Sequence, residues 1–175
     1  MKKILATVLF IFALAASQQA FAQYQKGDKL LNLGLGLGSY YGGGVPIGAS
    51  LEFGVTDNIS VGPQIDYYSW SYGYVGYKWR YTFIPIGVRG SYHANELLNL
   101  NNDKLDVYGG VSLGYYISKY SDNSGYTGVY DNAYGGRAFL GVHVGGRYYF
   151  KPNLGGFAEL GYGVSTLKVG VAFKF

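Results

Sequence analysis

From residue 29 to the carboxy terminus, large apolar side chains alternate with small or polar ones, one segment after another. The closing stretch is the strictest. Leu167, Val169, Val171, Phe173 and Phe175 share one parity, and Lys168, Gly170, Ala172 and Lys174 share the other. A period of two marks a strand whose faces meet different surroundings. Seven further segments repeat the pattern, at about 29–41, 45–55, 59–72, 79–93, 105–120, 137–150 and 154–164. In the first, Leu31, Leu33, Leu35 and Leu37 oppose Asn32, Gly34, Gly36 and Gly38. In the second, Ile47, Ala49, Leu51 and Phe53 oppose Gly48, Ser50, Glu52 and Gly54. A soluble strand with so apolar a face needs protein to cover it, whereas a strand facing lipid needs none.

Each segment reaches the roughly 9 to 11 residues of a tilted membrane-crossing strand, and eight is the smallest usual count for a closed barrel. The expected fold is therefore all-β: an eight-stranded antiparallel up-and-down transmembrane barrel. Turns after segments two (Thr56-Asp57-Asn58) and six (Lys151-Pro152-Asn153) are tight, and the connections after segments three, taken from Ser69 to Lys78, and five run to ten residues or more. That alternation fits short periplasmic turns and long outer loops. The long 94–104 connection and the short one after segment seven depart from it. Pro63 and Pro85 fall inside segments, where each removes a ladder donor, and a bulge is expected at both. Aromatics of the apolar parity gather at the two ends. Phe53, Tyr92, Tyr148, Phe150, Phe173 and Phe175 form one girdle, and Tyr41, Tyr67, Tyr115 and Tyr162 the other.

The amino terminus carries Lys2 and Lys3, an apolar run from Ile4 to about Ala16, and Ala20-Phe21-Ala22. This is the layout of a secretory signal peptide, with 1–22 removed and 23–175 forming the barrel domain. Without Lys2 and Lys3 the 14 basic residues fall to 12 against 10 acidic, a net charge near +2 that does not suit a nucleic-acid partner. The absence of cysteine excludes disulfides, thiol catalysis and thiolate metal sites. The 29 glycines and 20 tyrosines fit β structure at a membrane interface.

The ending, with Gly170, Phe173 and Phe175 after Lys168, resembles the carboxy-terminal signal of bacterial outer-membrane β-barrels, which the barrel-insertion machinery reads. The whole mature chain resembles the small OmpA/OmpX-like barrel-only proteins. That resemblance implies an outer-membrane location and an envelope-structural, adhesive or defence-related role at the cell surface. It does not extend to peptidoglycan binding, because the pattern leaves no room for a second domain. A monomer surrounded by outer-membrane lipid is expected.

Firmly assigned charges lie on the glycine parity: Glu52, Asp66, Asp106 and Glu159 against Arg89, Arg147, Lys168 and Lys174. A lipid-facing Arg or Lys would cost roughly 2 to 4 kcal/mol at mid-membrane, so this parity is the inside. Counted from the periplasmic turns, Glu52, Arg89, Arg147 and Glu159 reach similar depth, and a lumen ionic cluster is expected there, with Asp66, Asp106 and Lys168 as further members. An eight-stranded interior is just wide enough for side chains to fill, which favours a plug over a pore. A narrow channel for small or hydrophobic solutes is the alternative.

Enzymatic readings find little support. His143, Ser112 and Asp66 share the inward parity, but no strained turn presents the serine and a plugged interior admits no substrate. His93, at a segment end, is expected at the interface. Two histidines without an acidic spacing motif make no metal site, and no cofactor is expected. The outward set holds neither a histidine nor an acid that could act on lipid. Function then falls to the outer connections. Residues 69–78 carry Trp70, Tyr72, Tyr74 and Tyr77 among small residues, and 121–137 carry Tyr126, Tyr130 and Tyr134. Tyrosine set among Gly, Ser and Asn suits adaptable contacts with an extracellular partner. The plainer alternative is that segments three to six continue above the membrane as a protruding sheet.

Overall fold

The computed structural model describes residues 24–74, 77–122 and 135–175. The signal segment, Tyr126, Tyr130 and Tyr134 lie outside them. Eight strands, β1 (Lys29–Ser39), β2 (Ile47–Gly54), β3 (Ile59–Tyr74), β4 (Tyr77–His93), β5 (Leu105–Asp122), β6 (Arg137–Lys151), β7 (Leu154–Tyr162) and β8 (Ser165–Lys174), pair in sequence order. β8 returns to β1, with Leu31 opposite Phe173 and Leu33 opposite Val171, and closes the barrel. Phe175 extends this seam, exchanging backbone hydrogen bonds with Lys29 at 3.0 and 3.1 Å. Closure leaves no unpaired edge, which a sheet crossing hydrocarbon requires.

The parity read from the sequence sorts the two faces. Leu113 and Leu140 are 63% and 67% exposed on the outside, whereas Glu52, Asp106 and Arg147 are fully buried inside. A protein whose aliphatic band is this exposed and whose charges are this hidden has lipid around it. Tyr67, Tyr115 and Tyr162 rim the band at one end, and Phe53, Tyr92, Tyr148 and Phe150 at the other. Tyr41 departs from its expected outward place. The chain leaves β1 through three glycines with positive φ, Gly42, Gly43 and Gly44, and this turn lays the Tyr41 ring against Phe83 at 4.9 Å.

Pro63 and Pro85 do not bulge. Pairing of β2 with β3 keeps one register from Ile47–Tyr67 to Gly54–Ser60, and β3 with β4 keeps one from Ile59–Tyr92 to Tyr74–Tyr77. Each proline loses a donor on one side only and stays paired on the other, Pro63 with Val88 and Pro85 with Tyr116. Its φ is compatible with an extended strand, so no extra residue is needed. The register shift occurs instead between Tyr149 and Lys151, at the mouth of the β6–β7 turn.

Residues 69–74 and 77–78 follow the alternative reading, a continued sheet and not a loop. The strands run on, pairing Trp70 with Tyr81, Tyr72 with Trp79 and Tyr74 with Tyr77. β2 contributes its last partner at Tyr67, so the β3–β4 hairpin continues seven residues further, roughly 23 Å of strand. β5 lines its other edge as far as Asp122.

The inward glycines let neighbouring backbones close up. A Cβ on Gly62 would sit 1.8 Å from the Leu51 carbonyl, where Pro63 interrupts the ladder, whereas one on outward-facing Gly90 would meet nothing nearer than 3.8 Å. Gly62→Ala should therefore lower the stability of the refolded barrel by about 1–3 kcal/mol. Gly90→Ala should leave it unchanged or raise it by up to about 1 kcal/mol. Urea midpoints in detergent micelles measure both.

Candidate functional site: the lumen plug and the outer sheet

Strand parity points Glu52 from β2, Arg89 from β4, Asp106 from β5, Arg147 from β6 and Glu159 from β7 into one narrow space. Arg147 is the centre. Its Nη2 lies 2.8 Å from Glu52 Oε1, its Nη1 2.8 Å from Asp106 Oδ2, and its Nε donates to Asn32 Oδ1 at 3.0 Å. The guanidinium also stands 3.9 Å over the Tyr108 ring. A planar cation with fixed donors can serve several acceptors at once, which a lysine ammonium cannot do with the same geometry.

Arg89 makes the second bridge, with Nη2 2.7 Å from Glu159 Oε1. Its Nε lies 3.4 Å from Glu52 Oε1, a Coulombic contact without hydrogen-bond alignment. Tyr108 donates its hydroxyl to Glu159 at 2.8 Å, and Ser60 and Ser91 both donate to the other oxygen of Glu52. Lys168 and Asp66 are brought together in a separate pair nearer the outer end.

His93 is not interfacial. It is 3% exposed, with Nδ1 2.7 Å from Asp106 and Nε2 2.9 Å from Ser60. It shares the inward parity of Arg89 and Ser91, and that parity was the signal to follow. His143 bonds Ser91 at 3.0 Å, and Asp66 bonds Lys168, so Ser112, His143 and Asp66 form no catalytic relay.

Each mouth is filled as well. Above the ions, Tyr68, Phe83, Tyr116, Phe139 and Val164 form an aromatic cluster, and Tyr116 donates to the Gly163 carbonyl. The void between the two layers is about 40 Å³, lined by Asp66, Arg89, His143, Glu159 and Lys168. That leaves room for only a few water molecules, each needing about 10–15 Å³ of such space. Below, Tyr24 stacks on His93 with ring centroids 3.5 Å apart. Its hydroxyl reaches the carbonyls of Thr56 and Ile59 at 2.8 and 2.6 Å. Burial, reinforced by Asp28, pushes the Tyr24 hydroxyl well above its ordinary pKa and keeps it a donor. Lys174 closes the same end against Asp28 at 2.9 Å. A polar cavity of about 640 Å³ opens outside this stopper, between Tyr24, His93 and the 94–104 turn.

The outer sheet has two unlike faces. Trp70, Tyr72, Trp79, Tyr81 and Tyr120 stand on the inward side, with Trp70 and Tyr81 4.7 Å apart and Tyr81 and Tyr120 5.1 Å apart. Tyr72 is 66% exposed. Gly170, Phe173 and Phe175 lie along the closing seam. Gly170 sits opposite Gly34, so close that a Cβ would meet the Leu33 carbonyl at 2.0 Å. Among the described residues no cluster of three or more His, Cys, Asp or Glu side chains could hold a metal ion.

No family model matches the chain, and no curated protein matches it in sequence. Solved structures do match in fold. The outer membrane protein OprG of Pseudomonas aeruginosa superposes with a TM-score of 0.61 at 11% identity, over 89% of this chain and 99% of that one. The attachment invasion locus protein Ail of Yersinia pestis gives 0.55 at 11% identity, over 86% and 100%. Neisserial surface protein A gives 0.53 at 17% identity, over 85% and 96%. The chain thus has the fold of the small outer-membrane barrels. With its lipid-facing band, it is an integral outer-membrane protein.

Arg147→Met leaves Glu52 and Asp106 buried without their main cation, and should cost about 3–5 kcal/mol. Arg137→Gln, at an exposed strand end, should stay within about 0.5 kcal/mol. Equilibrium unfolding of the refolded variants measures the contrast.

Proposed function

We propose that the protein is a non-enzymatic surface-interaction protein of the outer membrane, in which a plugged barrel serves as a rigid stand for the β3–β5 sheet. The observation that carries this reading is the continued pairing of that sheet beyond Tyr67, with aromatics aligned on its inward face. Paired strands hold Trp70, Tyr72, Trp79 and Tyr81 at fixed spacing, so little side-chain entropy is lost when a partner stacks on them. The lumen ions, Glu52, Asp66, Asp106 and Glu159 with Arg89, Arg147 and Lys168, serve structure in this account. So do Gly170, Phe173 and Phe175, as the seam recognised during insertion. The barrel fold is shared with a Yersinia protein named for attachment and invasion, which is compatible with a contact role.

The test is adherence. A non-adherent Gram-negative host producing the wild-type protein should gain binding to an epithelial monolayer. Tyr72→Ala with Trp79→Ala should reduce that binding about tenfold or more while the heat-modifiable band is unchanged. Adherence no greater than the empty host would refute the reading.

A further inference from the structure

The outward face of the same sheet has a different composition from the aromatic side. Passing up from the membrane, the lipid-facing parity reads Ile84 on β4 and Ile117 on β5, then Thr82 opposite Lys119, then Arg80 opposite Ser121, then Lys78. On β3 the matching positions are Ser69, opposite Thr82, and Ser71, opposite Arg80. Hydroxyls therefore flank Arg80 and Lys119, whereas Lys78 stands opposite Gly73. Thr82 donates to Ser69 at 3.3 Å, and Arg80 Nε reaches Ser71 at 3.4 Å. No carboxylate occupies this face between residues 69 and 73, 78 and 82, or 117 and 121. Arg80 and Lys119 are both exposed, and neither has an ion-pair partner among the described residues.

The height of these cations is informative. Same-face positions on a strand are about 6.6 Å apart, and barrel strands tilt by about 40°. Lys119 thus stands about 5 Å, and Arg80 about 10 Å, beyond the apolar edge at Ile117 and Ile84. The polar interface on one side of a bilayer is roughly 5–8 Å thick. Lys119 lies within the headgroup layer, and Arg80 reaches its upper boundary on a flexible stem. Cations with neighbouring hydroxyls and no acid, stacked at two levels of that layer, complement a headgroup carrying more than one phosphate among sugar hydroxyls.

From this arrangement we propose that the outward face of β3–β5, centred on Arg80 and Lys119, is a docking site for a phosphorylated glycolipid of the outer leaflet. Lys119 takes the phosphate nearer the acyl chains and Arg80 one further out, while Ser69, Ser71, Thr82 and Ser121 bond the sugar. The site lies on the opposite face of the sheet from the aromatics, so loss of adherence would leave it standing and loss of lipid binding would leave adherence intact. Lipid held here would also brace the protruding sheet against the membrane.

Trp70 and Trp79 are the two tryptophans of the chain and both lie in this sheet, so their fluorescence reports on it. The full mature protein, refolded in a neutral detergent, is titrated with bisphosphorylated lipid A, with the same lipid stripped of phosphate, and with phosphatidylglycerol. The expected result is a saturable change with the bisphosphorylated lipid alone. Lys119→Gln and Arg80→Gln should each weaken it about tenfold, the size of one lost charge-assisted hydrogen bond. Lys26→Gln, at the opposite end of the barrel, should not. Both sheet variants change exposed side chains, and the heat-modifiable band verifies their folding. Equal binding of phosphatidylglycerol, or unchanged affinity in folded Lys119→Gln, would overturn the site. So would no response to any lipid.

Discussion

The Arg147 guanidinium, closed in by Glu52, Asp106, Asn32 and the Tyr108 ring, is the contact on which the interior depends. Lipid outside forbids charge on that face, and eight strands leave an inside only as wide as the side chains that fill it. Charges driven inward therefore have to satisfy one another. They do so mostly across the barrel rather than along its wall. Arg147 of β6 reaches Glu52 of β2, Arg89 of β4 reaches Glu159 of β7, and Lys168 of β8 reaches Asp66 of β3. Each bridge ties together strands that share no backbone hydrogen bonds, and the same bridges occupy the lumen. Stability and closure have one cause.

The period of two made most of the fold legible, because one residue of slip would carry every side chain to the wrong face. The strand count, the order and the inward position of each lumen charge follow from it. Depth is harder to read. Counting from the turns puts Glu52, Arg89, Arg147 and Glu159 at one depth and leaves the level of Asp106 open; it sits directly opposite Arg147 in the β5–β6 register, and register is a property of the folded pair. His93 looked interfacial at a segment end, yet the lead-in residue Tyr24 folds back and covers it. At Pro63 and Pro85 the sequence shows a missing donor, but only one of the two neighbouring strands loses a bond, and each proline stays paired with the other without a bulge. Glycine and serine between the tyrosines of 69–74 and 77–78 leave a loop and a continued sheet both open in the sequence, and cross-strand pairing decides for the sheet.

The outer sheet draws its character from the same alternation once it leaves the hydrocarbon. Inside the bilayer, parity separates lipid from lumen. Above it, the inward parity turns aromatic and the outward parity turns cationic and hydroxylic, because neither lipid tails nor a packed core now select for aliphatic residues. A rigid three-strand extension with unlike faces can engage an external surface on one side and membrane headgroups on the other. Below the plug, the 94–104 turn folds back on itself through the Leu98–Ala94 and Leu100–Asn95 backbone bonds, so the long periplasmic connection is ordered without a strand.

The central claim is that the barrel is a closed stand and not a conduit. Planar-bilayer recording of the refolded mature protein at high salt tests it most directly. The account predicts a membrane that stays silent apart from brief, irregular events. Stable, reproducible single-channel steps that change when Arg89 or Arg147 is substituted would contradict it, and would make the lumen ions a selectivity site.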